Sequence, residues 1–182
     1  WAPGADWGRE VGCVYHEAST AIVLVDPQVP AEPGEAERFW GALDRDVERH
    51  GREVVILTTC SWHRRSAPEV AERYGGREIG PEAPDPGALP EGVGAISAPT
   101  AAELVWWLGD ARTVVPGDAI LGDDHGGLAL CPASWLDGGG SVGTLAAELR
   151  PLLDLPVERV LVSHGTPVLS GGRDALVRAL SS

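Results

Sequence analysis

Four short apolar runs, each closed on its carboxyl side by polar residues, constrain this chain more than any other feature. Ala21-Ile22-Val23-Leu24-Val25 stops at Asp26-Pro27 and Val54 to Thr58 at Thr59 to Arg65, while 112–115 stops at Pro116-Gly117-Asp118 and Arg159 to Val162 at Ser163-His164-Gly165. Uninterrupted runs of this kind are the signature of strands buried on both faces, which need a covering layer above and below.

The intervening segments supply those layers. From Glu35 to His50, the residues Ala36, Phe39, Trp40, Leu43 and Val47 recur on one face of a 3.6-residue period, and Gly51 follows as a stop. A helix between two such runs makes a βαβ unit, so the strands at 21–25 and 54–58 are expected to be parallel. Further helices are expected over Ser66 to Tyr74, Val142 to Leu153 and Arg173 to Leu180, with strands near 93–97, 103–108 and 112–115. The Pro/Gly-rich stretch 80–92 and the run Gly138-Gly139-Gly140 read as loops. A chain of 182 residues, 43% hydrophobic, suits one domain spanning 1–182.

Charge narrows the partners. With 14 Lys+Arg against 27 Asp+Glu, the net charge of −13 argues against nucleic acid and anionic membranes and leaves a small-molecule ligand or substrate. Three scattered cysteines, Cys13, Cys60 and Cys131, fit a reduced, cytoplasmic protein, and no apolar stretch has the length of a membrane span or a secretory leader.

The polar clusters fall where α/β sheets build sites, at the carboxyl ends of strands. Taken singly, Asp26 and Asp118 read as turn formers and His164 as a surface histidine. In order, however, AIVLVDP (21–27), VVILTT (54–59), VVPGDAIL (114–121) and RVLVSHGTPVL (159–169) together resemble the metallo-β-lactamase superfamily over about residues 20–180. The resemblance implies a compact four-layer αββα sandwich, hydrolase chemistry on an ester, thioester or lactone, and a metal-ligand motif, His-x-His-x-Asp-His, directly after the Thr. Here Thr59 is followed by Cys60-Ser61-Trp62-His63-Arg64-Arg65. Cys60, Trp62, Arg64 and Arg65 take the ligand positions, and His63 falls on a spacer. Ser97 to Glu103 lacks a further histidine, so only Asp118 and His164 match.

Two ligands are too few for a catalytic zinc, and guanidinium groups beside a divalent cation are electrostatically costly. The expectation is therefore a degenerate site with no metal and no cofactor, in a pseudoenzyme or binding module. In it Arg64 or Arg65 pairs with Asp118, the site comprises His63, Arg64, Arg65, Asp118 and His164, and Cys60, Trp62 and Asp26 border the ligand. Two alternatives keep catalysis. One is a rebuilt zinc site from Cys60, His63, Asp118 and His164; the other is a metal-free nucleophile, Cys60 or Ser61, beside His63, with Arg64 or Arg65 facing an oxyanion.

Gly122 to Gly127 reads as a solvated turn, and His16 and Glu17 either line the pocket or lie on a hairpin surface. Trp40 and one of Trp106 and Trp107 belong to the core. The outward member of that pair, with Trp62, would offer contact area for a ligand or for a second copy of the chain in a homo-oligomer.

Overall fold

The structure, a computed structural model, describes residues 11–81, 88–123 and 126–181. Four strands, β1 (Val14–Glu17), β2 (Ala21–Val25), β3 (Glu53–Leu57) and β4 (Arg77–Ile79), form one sheet in that order. β2, β3 and β4 are parallel, with Val23 opposite Val55, and β1 is the antiparallel edge. A second sheet runs in the order β10 (Arg159–Val160), β7 (Thr113–Val115), β6 (Glu103–Leu108), β5 (Val93–Ala98), and β8 (Ile120–Gly122) with β9 (Leu128–Leu130) makes a small hairpin.

Strand alternation sorts the apolar side chains into three buried layers. Val23, Val25, Val55 and Leu57 face Trp106, Leu108 and Val115 between the sheets. Their neighbours Ile22, Leu24, Val54 and Ile56 turn outward beneath Leu43 of α1 (Pro33–His50) and Val70 of α2 (Ala67–Tyr74). Across the molecule, Val105, Val114 and Val160 pack under Leu145 and Leu149 of α3 (Val142–Leu149) and Leu176 of α4 (Gly172–Ala179). The result is the four-layer αββα sandwich that the resemblance implies.

Several boundaries move for local reasons. α1 begins two residues before Glu35, because Pro33 is at ease in a first turn and the Glu32 carboxylate accepts the Glu35 N–H at 2.7 Å. α3 ends at Leu149 rather than Leu153, since Pro151 has no N–H to continue the ladder, and Arg150–Asp154 tightens into a 3₁₀ turn. β10 pairs regularly only over Arg159–Val160, although Leu161 still donates to the Val114 carbonyl at 2.9 Å.

The two tryptophans of β6 turn to opposite faces, as expected, and the outward-turned one, Trp107, is half-buried. Trp106 is fully buried between the sheets, and Trp107 packs against the α3/α4 layer because this sheet has cover on both faces. In the expected turn Gly122 to Gly127, Gly122 ends β8 and the Asp123 carboxylate accepts the Gly127 N–H at 2.6 Å; 124–125 lie outside the described residues, as do 82–87 of the expected loop 80–92. His16 and Glu17 lie on edge strand β1, where His16 pairs with Asp110 at 3.0 Å and Glu17 with Arg49 and His50. No helix among the described residues is long and apolar enough to cross a membrane. Cys13, Cys60 and Cys131 are all free thiols.

Candidate metal centre

The four strand ends do converge. Asp26 follows β2, Thr59 to His63 follows β3, Asp118 follows β7 and His164 follows β10. Asp26, at φ 49°, is one of the few residue types that accept the left-handed region readily. Its carboxylate is buried and takes the Thr59 N–H at 2.8 Å on one oxygen and the Thr59 hydroxyl at 2.7 Å on the other. That second oxygen also lies 3.0 Å from His63 Nδ1. An ionised carboxylate can only accept, so Nδ1 carries the proton and Nε2 is the nitrogen left facing the opposite sheet.

There Nε2 of His63 and Nε2 of His164 flank Asp118 Oδ1, at 3.4 and 3.1 Å. Oδ1 is buried, yet neither contact has hydrogen-bond geometry. The other carboxylate oxygen accepts the Trp62 indole N–H at 2.8 Å. Among the described residues, His63, Asp118 and His164 are the one group of three such side chains whose ligand atoms lie close, all within 4.8 Å of one another. Two imidazoles and a carboxylate, with an oxygen between them that no N–H satisfies, are a donor set that fits a divalent transition-metal ion.

Two neighbours lock Asp118 in place, of which the sequence singles out only Gly117. Glu103, buried at the head of β6, accepts the backbone N–H of Asp118 at 2.9 Å and of Ala119 at 3.0 Å. Gly117 is wedged beside it: a Cβ there would lie 2.6 Å from the Thr59 hydroxyl and 2.7 Å from a Glu103 carboxylate oxygen. His164 is held through its backbone, its carbonyl accepting the Gly122 N–H at 2.9 Å, and Gly165 permits this approach with φ 87°. A Cβ on Gly165 would sit 2.0 Å from the Gly122 carbonyl oxygen.

Charge follows the geometry. Burial would lower the His63 pKa, but the nearby Asp118 and Asp26 carboxylates outweigh that and raise it to about 11 in the absence of a cation. Burial would likewise raise the Asp118 carboxyl, yet the His164 and His63 imidazoles and the Trp62 indole hold it far below the usual carboxylate range. For Glu103 burial wins, and its carboxyl is pushed up to about 7 against the two backbone donors. Burial also raises the Cys60 thiol.

The expected pairing of an arginine with Asp118 fails here. Neither arginine meets Asp118: Arg64 grips Glu78 through two nitrogens at 2.6 and 2.9 Å, and Arg65 reaches the carbonyls of Gly12 and Asp26 at 3.3 and 3.4 Å. The cause is the 3₁₀ turn Ser61–His63, which swings the supposed spacer His63 inward and carries the arginines past the site. Cys60 is buried and lies outside the group of possible metal ligands, and Asp26 stands behind His63. Trp62 does border the open side, 42% exposed, on a pocket of ≈ 220 Å³ lined also by Ala101, Glu103, Asp118, Cys131, Ser134 and Trp135. Glu103 had left one signal in the sequence, as the lone charge opening the otherwise apolar run ELVWWL.

No family model matches the chain, and no curated protein matches it either. Among solved structures, a metallo-beta-lactamase from Pontibacter korlensis is similar at 17% identity, with a TM-score of 0.48, covering 92% of this chain and 84% of that one.

Proposed function

We propose that this chain is a mononuclear metal-dependent hydrolase of an ester, thioester or lactone, with His63, Asp118 and His164 as the metal ligands. The observation that carries the proposal is the convergence of three ligand atoms from three loops, with Asp26 fixing the tautomer of His63 behind them. When bound, a zinc-type cation supplies a Lewis acid for a carbonyl oxygen and lowers the pKa of water. Three protein ligands leave such a cation a position for that chemistry.

The chain's own residues do the rest. Asp26 and Thr59 hold the His63 ring so that Nε2, not Nδ1, points inward, the carboxylate–histidine arrangement that second-row partners commonly supply. Trp62 fixes one Asp118 oxygen and so leaves the other directed at the imidazoles. Glu103 anchors the backbone of the same loop. The pocket beside Asp118 offers a seat for a small-molecule substrate next to the ligand atoms.

One observation favours a second reading, that of a fold kept as a binding module after hydrolysis was lost. His63 and His164 already pair with Asp118, so the cluster is charge-compensated as it stands. Elemental analysis of protein purified without chelator separates the two. About one divalent ion per chain, absent from His164→Ala and accompanied by hydrolysis of simple esters that chelator abolishes, is the expected result. Metal-free protein that stays metal-free after zinc is added would sink the hydrolase reading.

A further inference from the structure

Resting on that reading, the pocket beside Asp118 also points to a substrate class. Its walls are two indoles, Trp62 and Trp135, with Ala101 and Cys131, and its acidic linings are Asp118 and Glu103. No lysine, arginine or histidine lines it among the described residues. The arginines that sequence places nearby are committed elsewhere, Arg64 to Glu78 and Arg65 to backbone carbonyls. At ≈ 220 Å³ the pocket is smaller than the ~300–1,000 Å³ of drug-sized sites, so it takes one ring rather than a bulky molecule.

We propose that this pocket seats an uncharged aromatic acyl group and rejects acyl groups that carry a carboxylate. Indole faces and edges favour an aromatic ring through offset or edge-to-face contact. A substrate anion would be brought into a partly desolvated space beside the Asp118 carboxylate and the buried Glu103 carboxyl, with no cationic side chain lining the pocket to receive it. A bound divalent ion would be held at Asp118, His63 and His164, where Asp118 and, behind His63, Asp26 would offset its charge.

Hydrolysis itself makes the pattern useful. The oxygen of water forms the new bond to the acyl carbon, the bond from that carbon to the alcohol oxygen breaks, and the departing alcohol takes one of the water's protons. The aromatic acid left behind then ionises, and the carboxylate-lined pocket that welcomed the neutral ester repels the anionic product.

The test uses the zinc-loaded protein and a matched pair of unreactive probes, benzamide and 4-carboxybenzamide, followed by tryptophan fluorescence and calorimetry. Benzamide is expected to bind at least about tenfold more tightly than its carboxylate partner, in line with the cost of like charges in contact. Ser134→Arg, which puts a cation on the exposed pocket rim, is expected to narrow or invert that ratio. Equal binding of the two probes, tighter binding of the anion, or binding of neither overturns the assignment. Parallel assays of methyl benzoate and mono-methyl terephthalate keep the two proposals apart. If benzamide is preferred but neither ester is hydrolysed with zinc present, the hydrolase reading fails and the pocket assignment stands. If both esters are hydrolysed equally, the reverse holds.

Discussion

Asp26 and Glu103 never need to touch a substrate to decide what the site can do. Asp26 acts through His63: replacing it with asparagine keeps the shape but removes the negative charge that orders the Nδ1 proton. Asp26→Asn is expected to weaken zinc affinity by about 10–100-fold, the usual scale for losing such a partner, with the far-UV spectrum unchanged. Competition with a chromophoric chelator measures this, and unaltered affinity would show that His63 needs no such support. Glu103 instead receives two backbone N–H groups. Glu103→Gln, whose amide nitrogen would face one of those donors, leaves a buried N–H unsatisfied and is expected to destabilise the fold by about 1–3 kcal/mol in urea titration.

At the scale of elements, the joint between β8 and the loop after β10 carries the most information. Gly165 combines φ 87° with a Cβ position that runs into the Gly122 carbonyl. Gly165→Ala therefore has to move backbone, and it is expected to lose more than the ~1–2 kcal/mol of left-handed strain alone and to lower zinc affinity with it. Denaturation together with zinc titration checks both losses, and stability lost without any change in affinity would separate the joint from the site.

The same scale explains what sequence could reveal. The runs at 21–25 and 54–58 announce a sheet covered on both sides because β-branched residues continue through both faces of each strand. The convergence of Asp118 and His164 follows from each ending such a run. What stayed hidden depends on turns: whether His63 or its neighbours face inward is decided by a single 3₁₀ turn, to which the 3.6- and 2-residue periodicities are blind. The role of Thr59 was opaque and that of Glu103 marked only by its charge at the head of an apolar run, since their partners are 33 and 15–16 residues away and reach them through the assembled sheets.

For the whole molecule, charge and cation binding make separate predictions. A net charge of −13 on 182 residues means that self-repulsion outweighs what scattered surface ion pairs return. Raising salt from about 10 to 150 mM, which shortens the screening length to roughly 8 Å, is expected to raise Tm; a fall would mean that the ion pairs dominate. Zinc at about 100 times its Kd is expected to add about 2.7 kcal/mol, or roughly 5–11 °C in Tm for a chain of this size, and chelator to reverse it. Calorimetry with and without zinc decides the matter.

The distribution of the cluster over the two sheets has one more consequence. Asp26 and His63 hang from the sheet of β2 and β3, while Asp118 and His164 hang from the sheet of β7 and β10. Sliding one sheet past the other by a single residue moves it about 3.3 Å, nearly the whole 3.4 Å gap between His63 and Asp118. The site therefore serves as a gauge of alignment between the two halves, since a misassembled chain can keep its strands and helices and still fail to bring these side chains face to face.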